Sequence, residues 1–403
     1  MIKVVLDGAL FSECEKAGAN RDGMTRLAED ITDKLMLNKD LDISFANTVF
    51  MEKYDSLLKK NIGKKYPARI GKIISKKPPK LLNVFAFRRV FRNPLIKNFI
   101  HISYKAFENQ DIFHSFYYPF SKPLMKNNKV KKSITFLDII PLRLKGCSYD
   151  LVSWTKEIVA SIESNYAISI SEYSKQDLLD YDKRIKPENV FVAPLAADEK
   201  IFYPNKDVEN WNYVKQKYKL PDNYFLSVSG KDKRKNIPHL VASFNKFLLQ
   251  QKYRDIYLVL TGNTTHNYAM LNDLKISREV RDKIIMPNTF IDTNDMAALY
   301  SHAMCFFYMS YYEGFGLPAL EAMQCGVPVV TSNATSLPEV VGNAGITLPP
   351  KDEDVLCDVM NKMYNSEALR NQYAEAGIAR ASTFSWQRCA DEYAHIFKQI
   401  ASN

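Results

Sequence analysis

Two glutamates with seven residues between them flank a glycine turn in the last third of the chain. Glu313 precedes Gly314 and Gly316, and Glu321 follows about one helical turn inside the helix that Pro318 begins. The glycines let backbone amides approach a ligand closely, and the helix start adds unpaired N–H groups and the positive end of a dipole, which together favour a diphosphate. The carboxylates can accept hydrogen bonds from hydroxyls on either side of it. A ligand with hydroxyls at both ends and a diphosphate between them is a nucleotide-sugar.

The residues around this turn predict a strand, a helix and a second strand. The apolar run from Met304 to Met309 is short enough for a buried strand, and the helix is predicted to end before Gly326. The second strand is predicted over Val327 to Thr331. The whole string EGFGLPALEAM, followed by GVPVV and SLPEVVG, closely resembles the donor site of the group 1 family of retaining GT-B glycosyltransferases.

The resemblance implies an α/β fold with two Rossmann-like doubly wound domains facing across a cleft. It implies that a nucleotide-sugar binds mainly to the second domain and that its sugar passes with retention to an acceptor held by the first. Glu313 would bind and orient the sugar, and Glu321 would bind the ribose hydroxyls. The turn itself would contact sugar and phosphate through Gly314, Phe315, Gly316 and Leu317. No enzymic nucleophile stands in these motifs, which fits a front-face mechanism in which the departing phosphate takes the acceptor's proton.

A cationic loop, SGKDKRKN, follows a strand predicted over Tyr224 to Val228. In the resembled family this loop carries a basic pair that faces the diphosphate. Lys235 matches the lysine of that pair, and either Lys231 or Arg234 would be its partner. Such cations oppose the negative charge that grows on the diphosphate as the sugar–phosphate bond breaks.

Two further strands of the second domain are predicted, one ending at Gly262 and one running from Lys283 to Ile291. At their carboxyl ends they would form the wall of the pocket for base and ribose, because ligands of doubly wound sheets bind at that edge.

In the first domain, the sequence around Gly23 resembles the family's glycine-bearing first loop, which approaches the reacting sugar. The string KSITFLDIIPL resembles a strand that usually ends in a His-Asp pair. Here that pair is Leu137-Asp138, so Asp138 is the catalytic candidate and the histidine that contacts the donor sugar is missing. His114 could compensate from the neighbouring strand end, although a lone histidine beside aromatics is more often a packed one.

The length of 403 residues exceeds what one hydrophobic core usually serves. We predict an acceptor-binding domain over residues 1–195, a nucleotide-sugar-binding domain over 196–382, and a final helix over 383–403 that crosses back to the first domain. The six cysteines include no C-x-x-C pair, and no signal peptide or spanning segment is evident. These features predict a cytoplasmic protein.

The basic character of the chain is concentrated in one segment. The net charge is +10, yet residues 56–107 alone contain fourteen Lys or Arg and no acidic residue. Cations mixed with aromatic residues suit an anionic membrane surface, and many relatives in the resembled family act on lipid-linked acceptors. We therefore predict docking on the inner face of the plasma membrane; a solvated face over core aromatics and a nucleic-acid groove are the alternatives.

No metal or other cofactor is expected. Three Asp-x-Asp pairs could in principle hold a metal, but none lies at a strand end beside a glycine turn, so we interpret them as solvated surface: Asp40/Asp42, Asp180/Asp182 and Asp352/Asp354. GDP-mannose is weakly favoured as donor and a UDP-sugar is about as defensible, with a glycan or lipid-linked acceptor. The alternatives are a nucleotide-sugar epimerase or phosphorylase on the same fold, and a non-catalytic membrane- or polyanion-binding protein.

Overall fold

The computed structural model describes residues 1–8, 10–11, 23–46, 109–228, 232–251, 255–262 and 276–403, with positions 60, 62, 64, 65, 73, 74, 107 and 274. The chain divides into two compact units. One comprises Met1–Pro194 with Trp386–Asn403, and the other is Leu195–Ser385. The domain boundaries predicted after residues 195 and 382 lie close to the boundaries of these two units. The binding roles given to the domains stay predictions. The basic segment 56–107 falls almost wholly outside the described residues.

The first unit is built on a parallel sheet whose strands lie in the order β3-β2-β1-β4-β5-β6-β7. Most of the described strand residues are buried, as expected for parallel strands that are covered on both faces. The strands are β1 (Ile2–Asp7), β2 (Leu41–Ala46), β3 (Ile73–Ile74), β4 (Ile112–Ser115), β5 (Lys131–Phe136), β6 (Tyr166–Ser169) and β7 (Val190–Val192). The helices between them include α1 (Gly23–Leu35), α2 (Lys122–Met125), α3 (Ile140–Arg143), α4 (Tyr149–Ile162) and α5 (Glu172–Tyr181).

The second unit repeats this plan with the parallel order β10-β9-β8-β11-β12-β13. Its strands are β8 (Tyr224–Val228), β9 (Tyr257–Thr261), β10 (Ile284–Ile285), β11 (Cys305–Tyr308), β12 (Val329–Ser332) and β13 (Ile346–Leu348). Its helices include α6 (Val208–Tyr218), α7 (Ile237–Gln251), α8 (Arg278–Arg281), α9 (Met296–Ser301), α10 (Leu317–Gln324), α11 (Leu337–Val341), α12 (Glu353–Asn365) and α13 (Glu367–Ala381). The predicted fold class, two Rossmann-like doubly wound α/β domains, is confirmed.

Two predicted strands of the second unit are wrong in their bounds. The strand expected over Lys283 to Ile291 is only β10, because Pro287 has no N–H for the sheet and the chain turns away after Met286. The strand expected from Val327 begins at Val329, after Pro328, for the same reason.

The three Asp-x-Asp pairs serve local structure. Asp352 caps α12 by accepting a hydrogen bond from Val355 N. Asp40 lies 2.5 Å from Lys398 Nζ, and the buried Asp182 lies 2.6 Å from Arg184 Nη2. The burial of Asp182 departs from the solvated surface that we predicted for all three pairs.

A last helix, α14 (Trp386–Ser402), packs in the first unit against α1, β1 and β4. Its C-terminal end is fastened by Lys131 on β5, whose Nζ donates to the carbonyls of Ile400 and Ala401 at 2.9 and 3.0 Å. A cation at this position also favours the negative end of the helix dipole.

His114, at the carboxyl end of β4, is a packed residue. It is fully buried, its ring nitrogens lie 2.8 Å from Ser133 Oγ and 3.1 Å from Thr135 Oγ1, and its ring contacts Tyr393 and Phe397 of α14. Burial lowers the pKa of the imidazole from 6.5 to about 3. Both ring nitrogens of His114 have hydrogen-bond partners inside the core. His114 therefore does not take the place of the family's histidine, whose position Leu137 occupies here.

We expect His114 to make the protein acid-sensitive. The unfolded chain binds a proton at His114 below about pH 6.5 while the folded chain stays neutral there, so stability falls with pH by about 1.4 kcal/mol per unit. Between pH 7 and pH 5, wild type should lose about 2 kcal/mol more unfolding free energy than His114→Gln, measured by urea titration. His395→Gln, exposed on α14, serves as the control and should lose as much as wild type. Equal losses in wild type and His114→Gln would contradict a buried neutral imidazole.

Candidate functional site

Two segments are predicted from the sequence to form a donor site. In the structure they follow neighbouring strands of the second sheet. β8 continues towards a short turn at Lys233–Lys235, and β11 continues into the loop that carries Glu313 and Gly316. β8 and β11 lie side by side where the strand order reverses. Doubly wound sheets bind ligands at the carboxyl ends of the strands beside such a reversal.

Glu313 is the centre of a buried ionic cluster. Its Oε1 lies 2.7 Å from Lys235 Nζ, and its Oε2 contacts Arg234 Nη1. Glu313 is 7% exposed, and the side chains of Lys235 and Arg234 are 14% and 16% exposed. With so little water between them, these charges attract each other far more strongly than they would on the surface. The structure brings Arg234 to the cluster, whereas Lys231 lies outside the described residues.

Arg234 is also tied to both loops. Its Nη1 donates to Tyr312 O at 2.8 Å, and its Nε lies 2.6 Å from Asp232 Oδ2. Its carbonyl accepts from Tyr311 N at 2.7 Å. The loop after β8 and the loop after β11 are therefore fastened to each other as well as to Glu313.

The cluster sets the protonation of its members. Burial by itself would raise the pKa of the Glu313 carboxyl, but Lys235 and Arg234 together hold it at about 2. Burial and the charge of Arg234 lower the pKa of Lys235, against the attraction of Glu313. Burial opposes the charge of Arg234, but Glu313 outweighs it and raises the pKa of the guanidinium above its ordinary value. Glu313 is thus an ionised carboxylate that can only accept hydrogen bonds.

The glycine turn leads directly into α10. Over the described residues, the amides of Phe315, Gly316 and Leu317 donate no hydrogen bond. The first helical amides are free because no earlier carbonyl lies in register, and they carry the positive end of the dipole. Glu313 joins this turn to Arg234 and Lys235, so free amides and cations belong to the same cluster of loops, an arrangement suited to a diphosphate.

Gly316 is the residue of this turn that no other amino acid can replace without strain. Its φ is +119°, and a Cβ built there would lie 2.7 Å from Leu337 Cδ2. We expect Gly316→Ala to destabilise the protein by about 2 kcal/mol and to weaken binding of a nucleoside diphosphate at least tenfold, since the amides would turn away. Thermal unfolding and calorimetry check the two effects. Gly146→Ala is the control. Its φ is also positive, at +95°, but a Cβ built there has no atom within 4 Å. This variant should therefore strain the backbone elsewhere in the protein and leave nucleotide binding unchanged.

The loop after β12 holds the turn in place, and sequence reasoning did not single out the residues that do so. Thr335 Oγ1 accepts from Glu313 N at 2.9 Å, and Ser336 Oγ lies within 2.9 Å of Glu313 O and 2.7 Å of Phe315 O. Thr335 has a φ of +53°, a strained conformation for a β-branched residue. Backbone strain of this kind is concentrated at functional sites. Here the strained residue supports the backbone of Glu313 through its hydroxyl.

Glu321 lies on α10, with its Oε2 3.3 Å from the hydroxyl of Tyr300. Tyr300 belongs to α9 and is fully buried, so its hydroxyl fixes one oxygen of a half-buried carboxylate. Gly262 directly follows β9, the neighbour of β8, with a φ of +110°. Gly262 is therefore at the carboxyl edge of the same sheet as Glu313, and Glu321 lies in the helix that follows the glycine turn.

The two remaining candidates belong to the first unit. Gly23 is the first residue of α1, and Asp138 follows β5 and accepts a hydrogen bond from Ile140 N at 2.9 Å. The catalytic and donor-binding roles suggested for them stay predictions.

Within the described ranges, no three His, Cys, Asp or Glu side chains lie close enough together to form a metal site. The helices of the described residues include none that is long and apolar enough to cross a bilayer.

Comparison with known proteins agrees with the geometry of the second unit. Residues 210–380 match the family model of the group 1 glycosyl transferases. The O-antigen chain mannosyltransferase B of Escherichia coli is 32% identical over 247 residues, which cover 61% of this chain and 64% of that protein. The O-antigen chain mannosyltransferase RfbU of Salmonella typhimurium is 32% identical over 232 residues, 57% of this chain and 59% of that protein. The matches thus span less than two thirds of these curated relatives.

Solved structures match over the whole chain. Sucrose-phosphate synthase from Thermosynechococcus elongatus has a TM-score of 0.71 at 18% identity, with 100% of both chains covered. WaaG, a glycosyltransferase involved in lipopolysaccharide biosynthesis, has a TM-score of 0.64 at 15% identity, with 98% and 99% covered. At these identities the likeness shows the fold, which is the predicted GT-B type. Residues 210–380 are thus similar to the group 1 glycosyl transferases, within a chain that has the GT-B fold.

Proposed function

We propose that this protein is a retaining glycosyltransferase that moves mannose from GDP-mannose to a glycan or lipid-linked acceptor in cell-surface polysaccharide synthesis. The observation that carries the proposal is the buried cluster of Glu313, Arg234 and Lys235 beside the free amides of α10, at the reversal of the second sheet. Both curated relatives described above are mannosyltransferases, which favours mannose over the sugars of UDP donors. The epimerase, phosphorylase and non-catalytic alternatives have no comparable support.

In the proposed reaction, the bond between the sugar's anomeric carbon and the phosphate oxygen breaks while the acceptor oxygen bonds to that carbon on the same face. The acceptor's proton passes to the departing phosphate. Arg234, Lys235 and the amides at the start of α10 oppose the charge that grows on the diphosphate. Glu313 accepts hydrogen bonds from the sugar's hydroxyls, and Glu321 does so from the ribose. These residues supply the charge neutralisation without a metal, so we propose metal independence.

The test is to incubate the purified protein, with a chelator present, with GDP-mannose and a panel of UDP- and ADP-sugars. We expect GDP release from GDP-mannose alone, at a rate that the chelator does not change. With an acceptor present, the anomeric coupling in the NMR spectrum of the product should match that of the donor. Inversion would overturn retention, and loss of activity on chelation, restored by Mg²⁺, would overturn metal independence. Absence of both release and calorimetric binding would overturn the donor site.

We also propose that residues 56–107 dock on the anionic inner surface of the plasma membrane, because this segment contains fourteen Lys or Arg and no acidic residue. Sedimentation with phosphatidylglycerol vesicles should recover the protein at low salt and lose it at high salt. Neutral phosphatidylcholine vesicles serve as the control. Equal recovery on both lipids would contradict the proposal, and salt-sensitive binding to duplex DNA instead would favour a nucleic-acid partner.

A further inference from the structure

Tyr308, the last residue of β11, faces two members of the ionic cluster at once. Its hydroxyl lies 2.7 Å from Glu313 Oε1 and also contacts Lys235 Nζ. Lys235 Nζ lies 4.5 Å from the centre of the Tyr308 ring, within range of a cation–π attraction. The side chain is 1% exposed, so water does not compete for these contacts.

The chemistry of the three groups fixes the direction of the hydrogen bonds. An ammonium group only donates, and an ionised carboxylate only accepts. The Tyr308 oxygen must therefore accept from Lys235, and its single proton is left for Glu313 Oε1. Burial raises the pKa of the phenol well above 10, so Tyr308 stays a neutral donor at any physiological pH.

The need for such a neutral donor arises when a diphosphate enters the site. Arg234 and Lys235 then share their positive charge with the ligand, and Glu313 loses part of the attraction that keeps it ionised and in place. Asp232 and Glu321, which lie near the cluster, are acidic, and Thr335 contacts the Glu313 backbone. Among the residues that the structure describes, Tyr308 supplies a neutral hydroxyl in contact with the carboxylate itself.

We propose that Tyr308 is a positioning residue that holds the Glu313 carboxylate in place while Arg234 and Lys235 turn to the departing diphosphate. This inference rests on the proposed function. It assigns the last residue of an apolar strand a part in turnover, and it predicts that the hydroxyl matters more for the chemical step than for binding the nucleotide.

The experiment compares Tyr308→Phe with Tyr224→Phe in the full chain. Tyr224 is a matched control, because it is fully buried on the adjacent strand β8 and its hydroxyl donates to a backbone carbonyl, that of Leu299, at 2.6 Å. Both variants lose one buried hydroxyl and keep the ring. The measurements are kcat and KM for release of nucleoside diphosphate, and the Kd for GDP.

We expect Tyr308→Phe to lower kcat about tenfold and to leave the Kd for GDP within about twofold. Tyr224→Phe should match wild type in both. The inference is overturned if the two variants behave alike, or if Tyr308→Phe loses GDP affinity in proportion to kcat. A wild-type protein that neither releases nor binds any nucleotide would overturn the proposed function, and this inference with it.

Discussion

Replacing Glu313 with glutamine is expected to lower turnover by about 10²- to 10³-fold while binding of GDP becomes tighter. Glutamine keeps the shape of the side chain but removes the charge that would orient the sugar. In the empty protein, Glu313 neutralises Arg234 and Lys235 and so competes with a diphosphate for them. Without it, the ligand meets two cations that Glu313 no longer neutralises and gains more of their attraction.

The same change should destabilise the empty protein by about 3 kcal/mol, because it removes the carboxylate that two mostly buried cations share and leaves Arg234 paired with Asp232 alone. Adding GDP should therefore raise the melting temperature of Glu313→Gln more than that of wild type. Glu321→Gln gives the contrast within the same motif: it should weaken donor binding and affect kcat less. Weaker GDP binding by Glu313→Gln would show that Glu313 does not compete with the diphosphate.

Removal of Lys235 should affect nucleotide binding in the opposite direction. Lys235→Met takes away a cation that would face the departing diphosphate, so we expect kcat/KM to fall by about 10²-fold and the Kd for GDP to rise at least tenfold. With only Arg234 left to oppose the effect of burial, the pKa of Glu313 rises from about 2 towards its ordinary value. Activity that needs the ionised carboxylate should then be lost at a higher pH on the acid side.

The control for Lys235→Met lies in the same turn. Lys233 is exposed, and Lys233→Met should keep turnover within about twofold of wild type, since a surface charge contributes little. Arg234→Met should resemble Lys235→Met if Arg234 is the second member of the basic pair. Lys231→Met would do so instead if Lys231 fills that role, so kinetic assays of the four variants decide between the two candidates.

Glycine, proline and charge at strand ends carry local signals, and this is why Glu313, Gly316 and Lys235 could be predicted from the sequence. A turn with φ near +119° requires glycine whatever surrounds it, and Pro318 marks the helix start. Tyr308 could not be predicted in the same way. It ends an apolar run and resembles any core aromatic, and only the folded loop after β11 shows that its hydroxyl meets the carboxylate of Glu313.

The identity of the basic partner of Lys235, either Lys231 or Arg234, likewise depends on the three-dimensional turn. Both candidates lie within four residues of Lys235 in the same cationic loop, so the sequence does not distinguish them. The bounds of β10 and β12 were missed because a strand's length is set by its hydrogen-bonding neighbours as well as by its own apolar residues. The hydrophobic runs predicted that these strands exist. Two prolines within the predicted ranges limit the observed strands, since Pro287 follows β10 and Pro328 precedes β12.

The path of the chain has a consequence for engineering. The second unit is one continuous stretch, Leu195–Ser385, inserted into a first unit whose last helix, α14, returns to pack beside β1 and β4. Chimaeras made to exchange donor specificity therefore need two junctions, near Pro194 and near Ser385. A single crossover would place a foreign α14 on the core of the first unit. It would replace Tyr393, which contacts His114, and Ile400, whose carbonyl accepts from Lys131. A cassette of the second unit excised at both junctions leaves that core intact.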